Sequence, residues 1–334
     1  MLYSAAMAAG IPPARKVSYA LFAVLVALIY ALKLGPVVLA GLFSYMLLNA
    51  TDRRLALSLP RPVARWISLA IFSVTAVGAF WMFGTFVRLG VLRLPLILGA
   101  VLPHLDSLAS NYGIDLPFEN IQSARVAFLH ALRENVPSVT KMGGLLTRDF
   151  FQIVIGIFIA VTKFLSQGIN QLPPASLAGD LSSEMAVRLR LFMTSYEKVI
   201  GAQVVISLIN TACTSLFLSI SGIPYLHFLT LATFILGIIP LAGNVLSNTI
   251  IIGAALTVSP QKAVWAFFFL VLSHKAEYIL NSRIVGSTIQ TPMWLTLTGL
   301  LVGEIVLGVP GMILAPALLH YVRKELSGLP PLAR

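Results

Sequence analysis

An all-α polytopic membrane fold, with about eight transmembrane or re-entrant helices and amphipathic helices between them, follows from three features of this 334-residue chain. The first is composition: 58% of the residues are apolar and only 10% are charged, whereas soluble domains devote about a quarter to Asp, Glu, Lys and Arg. With a mean hydropathy of +0.91, there is more apolar surface than one water-facing globule can hide. The second is pattern. Apolar runs recur along most of the chain and none alternates with period two, so helices rather than barrel strands must satisfy the backbone in lipid. The third is charge placement. The excess of 23 basic over 12 acidic residues is gathered at the ends of apolar runs, as the positive-inside rule requires, and gives no reason to expect a nucleic-acid partner.

The first apolar run, residues 17–32, follows Arg15 and Lys16 and leads into a second run instead of a small-residue cleavage site, so it reads as an uncleaved span. Lys33, Gly35 and Pro36 break it, with Pro36 suited to the first turn of a helix reaching Asn49. Each arm of this 17–49 hairpin is only about 22 Å long, so it either spans a thinned bilayer or enters without crossing. The loop 51–66 carries Arg53, Arg54, Arg61 and Arg65 against Asp52, which makes it cytoplasmic. A third span, 66–87, runs outward. Residues 88–149 then form a polar amphipathic insertion, with a helical stripe at Ile121, Ala124, Phe128 and Leu132.

A fourth span, 150–165, returns inward. After Pro173 and Pro174, Asp180 is a candidate helix cap, and Met185, Leu189, Phe192, Tyr196 and Val199 form an apolar stripe in which Glu184 supports Arg188 four residues on. The fifth span, 199–220, ends at Gly222 and Pro224. The next stretch, 225–258, is too long for one straight crossing, so Gly237, Pro240 and Gly243 are expected to break it. Two runs remain, 263–280 and 293–322, the second interrupted by Gly308, Pro310 and Gly311 and closed by Arg323 and Lys324. Residues 1–334 are thus expected to form a single integral membrane domain in the cell membrane, with both termini cytoplasmic and the C-terminal helices over 225–322.

Catalytic machinery is not legible. There is no phosphate loop, dinucleotide fingerprint or paired-histidine zinc helix, and the single cysteine, Cys213, excludes an intrachain disulfide framework and any multi-cysteine metal site. No enzyme activity, cofactor or metal is expected. Glu304 stands out as the acid well inside the last apolar run, where an isolated carboxylate costs about 2.5 to 3.5 kcal/mol on insertion scales. It is the leading candidate for a proton- or cation-responsive group; the alternatives are a protonated packed side chain or a position near the interface of a re-entrant run. His274, Glu277 and Asn281 share one helix face and form either a proton-shuttling stripe or an interfacial cap. Asn244, Ser247 and Asn248 follow the Pro240 break, beside freed carbonyls such as those that bind solutes in transporters, or else hydrogen-bond neighbouring helices.

The C-terminal third resembles the autoinducer-2 exporter (AI-2E) family of multispanning bacterial transporters. The similarity lies in Gly237-Ile-Ile-Pro240-Leu-Ala-Gly243, then Glu277-Tyr-Ile-Leu-Asn-Ser-Arg-Ile-Val-Gly286, then Thr291-Pro292, and then Gly303, Gly308, Gly311 and Ala315-Pro316. The proline common in the family's glutamate-to-glycine loop is absent here, that loop is one residue shorter, and Pro316 directly follows Ala315, which marks a divergent branch. The resemblance implies a secondary transporter or permease moving a small solute, such as autoinducer-2. Sodium or other monovalent cation/proton antiport is the alternative, and a membrane scaffold that moves nothing is the alternative of another class. Membrane lipids, the solute or ion, and a homo-oligomer of pentameric form are the implied partners.

Overall fold

The computed structural model describes residues 13–111, 136–166, 177–240, 242–285 and 292–327. Among them are ten α-helices and no strand, an all-α polytopic membrane architecture. In chain order these are α1 (Pro13–Ala31), α2 (Gly35–Leu55), α3 (Arg61–Asn111), α4 (Val136–Leu165), α5 (Leu177–Ser221), α6 (Leu226–Gly237), α7 (Ala242–Leu256), α8 (Pro260–Val285), α9 (Met293–Leu307) and α10 (Val309–Ser327). The expected stripe over residues 121–132, Pro173, Pro174, Gly286 and Thr291 lie outside the described residues.

Punctuation residues end helices where their chemistry requires. Lys33 adopts φ 52° in the turn before α2, which opens at Gly35 with Pro36 in its first turn. The α5 helix closes with Gly222 at φ +60°: its N–H donates to the Ser219 carbonyl and the Ile223 N–H to that of Leu218. Ile223 and Leu218 are both buried, which is the apolar contact that accompanies this type of helix cap. Gly308 separates α9 from α10 at φ 65°, ψ −144°, a conformation that a side chain would strain.

Helix lengths depart from the expected spans: α4 starts at Val136, inside the expected insertion and ahead of the fourth span expected from residue 150. The third span continues as one helix to Asn111, with Pro95 and Pro103 inside it, well into the expected insertion. Ile97, 3% exposed, packs there among Leu218, Ile251 and Leu270, and that burial outweighs the local cost of the prolines. The amphipathic stretch and fifth span are likewise one helix, α5, and Asp180 lies within its first described turn rather than capping it. At about 1.5 Å per residue α3 and α5 exceed 60 Å, roughly twice a hydrocarbon core. Windows in α1, α3 and α5 are long and apolar enough to cross a membrane, while α6, α7 and most of α9 are shorter apolar helices.

The chain packs as two compact units. Unit 1 comprises Met1–Phe72, Asp149–Gly201 and Thr288–Arg334, and unit 2 comprises Ser73–Arg148 and Ala202–Ser287. In unit 1 the aromatic rings of Phe22, Phe192 and Tyr321 join α1, α5 and α10. Beside them Arg188, 1% exposed, donates from Nη1 to Glu184 Oε2 and to the Glu184 carbonyl, each at 2.7 Å. Its guanidinium lies 4.2 Å from the Tyr19 ring centroid and its Nη2 is 3.8 Å from Glu325 Oε1. Tyr19 in turn donates its hydroxyl proton to Glu325 at 2.6 Å. The apolar stripe expected on α5 is therefore offset: Tyr196 is buried, but Leu189 is 46% exposed and Arg188 occupies the interior. A charged residue takes an inward position because three helices supply its partners.

The α9–α10 hairpin of unit 1 closes backbone to backbone. A Cβ added at Gly303 would sit 2.5 Å from the Gly311 carbonyl oxygen, and one added at Gly311 would collide with that of Gly303. Helices in lipid associate through such close approaches. Gly311→Ala is expected to destabilise the protein by about 1–3 kcal/mol, the range for overpacking, read as a lower melting temperature in detergent. An unchanged transition would show that the hairpin tolerates separation.

Candidate functional site

The break predicted at Gly237, Pro240 and Gly243 is present in unit 2, between α6 and α7. At about 18 and 22 Å, neither helix alone spans a ~30 Å core. A helix that ends inside an apolar region leaves its last carbonyls in need of donors. Two come from α5: Gln203 Nε2 donates to the Gly237 carbonyl at 2.7 Å, and Ser207 Oγ to the Phe234 carbonyl at 2.9 Å. Glycine at 237 permits this approach, since a Cβ there would sit 2.7 Å from Ser207 Oγ. Gly243 has the same role at the start of α7, where a Cβ would collide with the Leu236 carbonyl oxygen.

In the first turn of the second half-helix, Asn244 is buried and its Nδ2 donates to both carboxylate oxygens of Glu277 on α8, at 2.9 and 2.8 Å. Glu277 is 15% exposed, and His274 Nδ1 lies 3.7 Å from its Oε2 with the imidazole 58% exposed. Ser247 Oγ donates to the Asn244 carbonyl at 3.2 Å, and Ser273 Oγ donates to Asn210 Oδ1 at 2.6 Å, tying α8 to α5. Asn244 Oδ1 is itself buried with no hydrogen-bond partner among the described residues. A buried acceptor without a donor, next to a carboxylate, is costly in an apolar interior. Such an oxygen set can accept a proton, a hard monovalent cation or the hydroxyl donors of a small polar solute.

The structure brings Gly237, Pro240, Gly243, Asn244, Glu277 and His274 to one region. Asn248 is half-buried on α7, and Asn281 falls on α8 with its side chain outside the described residues. Glu304, Gly303, Gly308, Gly311 and Pro316 belong to unit 1. There Glu304 is exposed on α9 beside Leu301 and Ile305, which are 65% and 76% exposed; its carbonyl accepts from the Gly308 N–H at 2.7 Å, and its side chain has no hydrogen bond or ion pair among the described residues. Sequence reasoning missed Gln203, Ser207, Asn210 and Ser273. Their signal was available in part: Gln203, Ser207, Asn210 and the buried Thr214 recur at intervals of four, three and four, one polar face on the uncharged second half of α5. Among the described residues no three His, Cys, Asp or Glu side chains gather into a metal-binding group.

Comparison with known proteins bears on this arrangement. A Bacillus subtilis (strain 168) protein named "Putative transport protein YdbI" is 31% identical over 125 residues, which cover 37% of this chain and 36% of that protein. The chain thus matches about a third of that relative's length. The family model described as AI-2E family transporter matches residues 17–326, through both units and the broken span. By that match the chain belongs to the AI-2E transporter family.

Proposed function

We propose that this protein is a secondary transporter or permease that moves a small solute across the bacterial cell membrane, with the Asn244–Glu277 pair at the broken span as its solute- or ion-binding element. The observation that carries the reading is the bidentate contact itself. A carboxylate is held by a buried amide whose own oxygen has no donor among the described residues, beside two helix ends in an apolar setting. Transport sites are built from such discontinuous helices. Autoinducer-2 is a candidate solute through family membership. The antiport reading has support in His274, whose Nδ1 lies 3.7 Å from Glu277 Oε2. In this reading the chain works without a cofactor and as a homo-oligomer, with Glu304 on α9 as a further candidate coupling residue.

The deciding experiment is flux of solute and of monovalent cations in proteoliposomes containing only this protein, with and without an imposed pH gradient. Protein-dependent flux is expected, and its absence for every solute and cation under both conditions would favour a scaffold. Orientation is testable independently. Cysteines placed in the 51–65 region and near Arg323 are expected to be shielded from impermeant reagents in intact cells, while those near Asn111 label. Labelling of the first two regions alone would reverse the proposed topology, with its cytoplasmic termini.

A further inference from the structure

We propose that the pocket beside the amino end of α3 binds the phosphate of an anionic phospholipid headgroup. It measures about 300 Å³ and is lined by Arg61, Pro62, Arg65, Trp66 and Leu165, all within unit 1. That is the lower end of ligand-pocket sizes and suits a headgroup. Its two guanidiniums have no carboxylate partner among the described residues. Arg53, at the end of α2, by contrast, is held by Glu197 at 2.8 Å. Arg65 is half-buried and positioned by the Phe164 ring, 6.0 Å from its guanidinium carbon. The cationic lining is therefore uncompensated by carboxylates among the described residues, with Arg65 held in place, which is the complement of a phosphate.

The rim distinguishes a lipid from free phosphate. Trp66 is 66% exposed, and Leu165, Val63 and Ile67 add exposed apolar surface next to the arginines. Indole rings sit at the level of lipid headgroups, where one end of the ligand is charged and the other apolar. A free anion would use the guanidiniums and gain nothing from that apolar rim, whereas a phospholipid uses both. Basic pockets at the ends of membrane helices recognise anionic lipids in this way.

The test uses the full chain in detergent, with native mass spectrometry during stepwise addition of dioleoyl phosphatidylglycerol or dioleoyl phosphatidylcholine. A parallel melting series contains inorganic phosphate. Phosphatidylglycerol adducts are expected to weaken about fivefold in Arg61→Gln and roughly 25-fold in the Arg61→Gln/Arg65→Gln double variant. Arg190→Gln, which removes the same charge from an exposed position on α5, should bind as the unaltered protein does. Phosphatidylcholine should bind equally weakly to all. Arg61 is exposed and unpaired, so its single variant keeps the test valid if the double variant folds poorly. Equal phosphatidylglycerol retention in Arg61→Gln, or an equal loss in Arg190→Gln, would overturn the proposal. So would an arginine-dependent shift by inorganic phosphate matching that of the lipid, since it would assign the pocket to free phosphate.

Discussion

Glu277→Gln is expected to lower flux in proteoliposomes at least about tenfold while the protein still assembles. Glutamine keeps the length of the side chain but removes the charge, and only one of its two terminal atoms can accept the bonds that Asn244 now donates to both carboxylate oxygens. A hydrogen bond to a charged group is worth about 1.5–3 kcal/mol, and a tenfold change in affinity corresponds to about 1.4 kcal/mol. Losing one such contact to a bound cation or solute therefore suffices. Glu304→Gln supplies the contrast. If Glu304 carries the coupling, that variant assembles and transports but loses the pH dependence of flux. If Glu277 carries it, the Glu304 variant keeps the pH profile and the Glu277 variant does not. Retention of full, pH-dependent flux by Glu277→Gln would remove the Asn244–Glu277 pair from the mechanism.

Arg188→Met should be the most destabilising single change in unit 1, at about 3–5 kcal/mol, because it removes the buried cation of an ionic network and strands Glu325, whereas Glu184 keeps Arg15 Nε at 3.8 Å. Glu325, 14% exposed, would lose its only guanidinium among the described residues, and Glu184 would lose its 2.7 Å contact. The Tyr19 ring would lose the cation stacked on it. The measurement is the melting temperature and monodispersity of the purified protein in detergent. Two further variants separate the causes. Arg53→Gln breaks an exposed pair and should cost no more than about 1 kcal/mol. Arg188→Met/Glu325→Gln removes the stranded charge and should recover part of the loss. An Arg188→Met protein that melts with the unaltered chain would show that burial of the guanidinium contributes nothing net.

How far the amino-acid sequence reached can be judged at particular residues. Composition, apolar run length and the punctuation at Pro36, Gly222, Gly237–Pro240–Gly243 and Gly308 determined an all-helical membrane fold and the position of its breaks. These are local effects: proline lacks a donor, glycine tolerates positive φ, and lipid obliges each segment to satisfy its own backbone. The polar residues around the sixth run were visible as candidates for the same reason, since a polar group in an apolar run needs a partner. Only the tertiary structure decided which partners were chosen. Asn244 and Glu277 are separated by 33 residues, Gln203 and Gly237 by 34, and Tyr19 and Glu325 by 306, and no periodicity within one helix encodes such pairings. The same applies to α3, where the buried contacts of Ile97 outweigh two prolines, and to Arg188, whose pairing with Glu184 is legible four residues apart but whose burial depends on partners from α1 and α10. Local chemistry sets where helices form and stop, whereas the pairing of buried polar groups depends on which distant helices pack together.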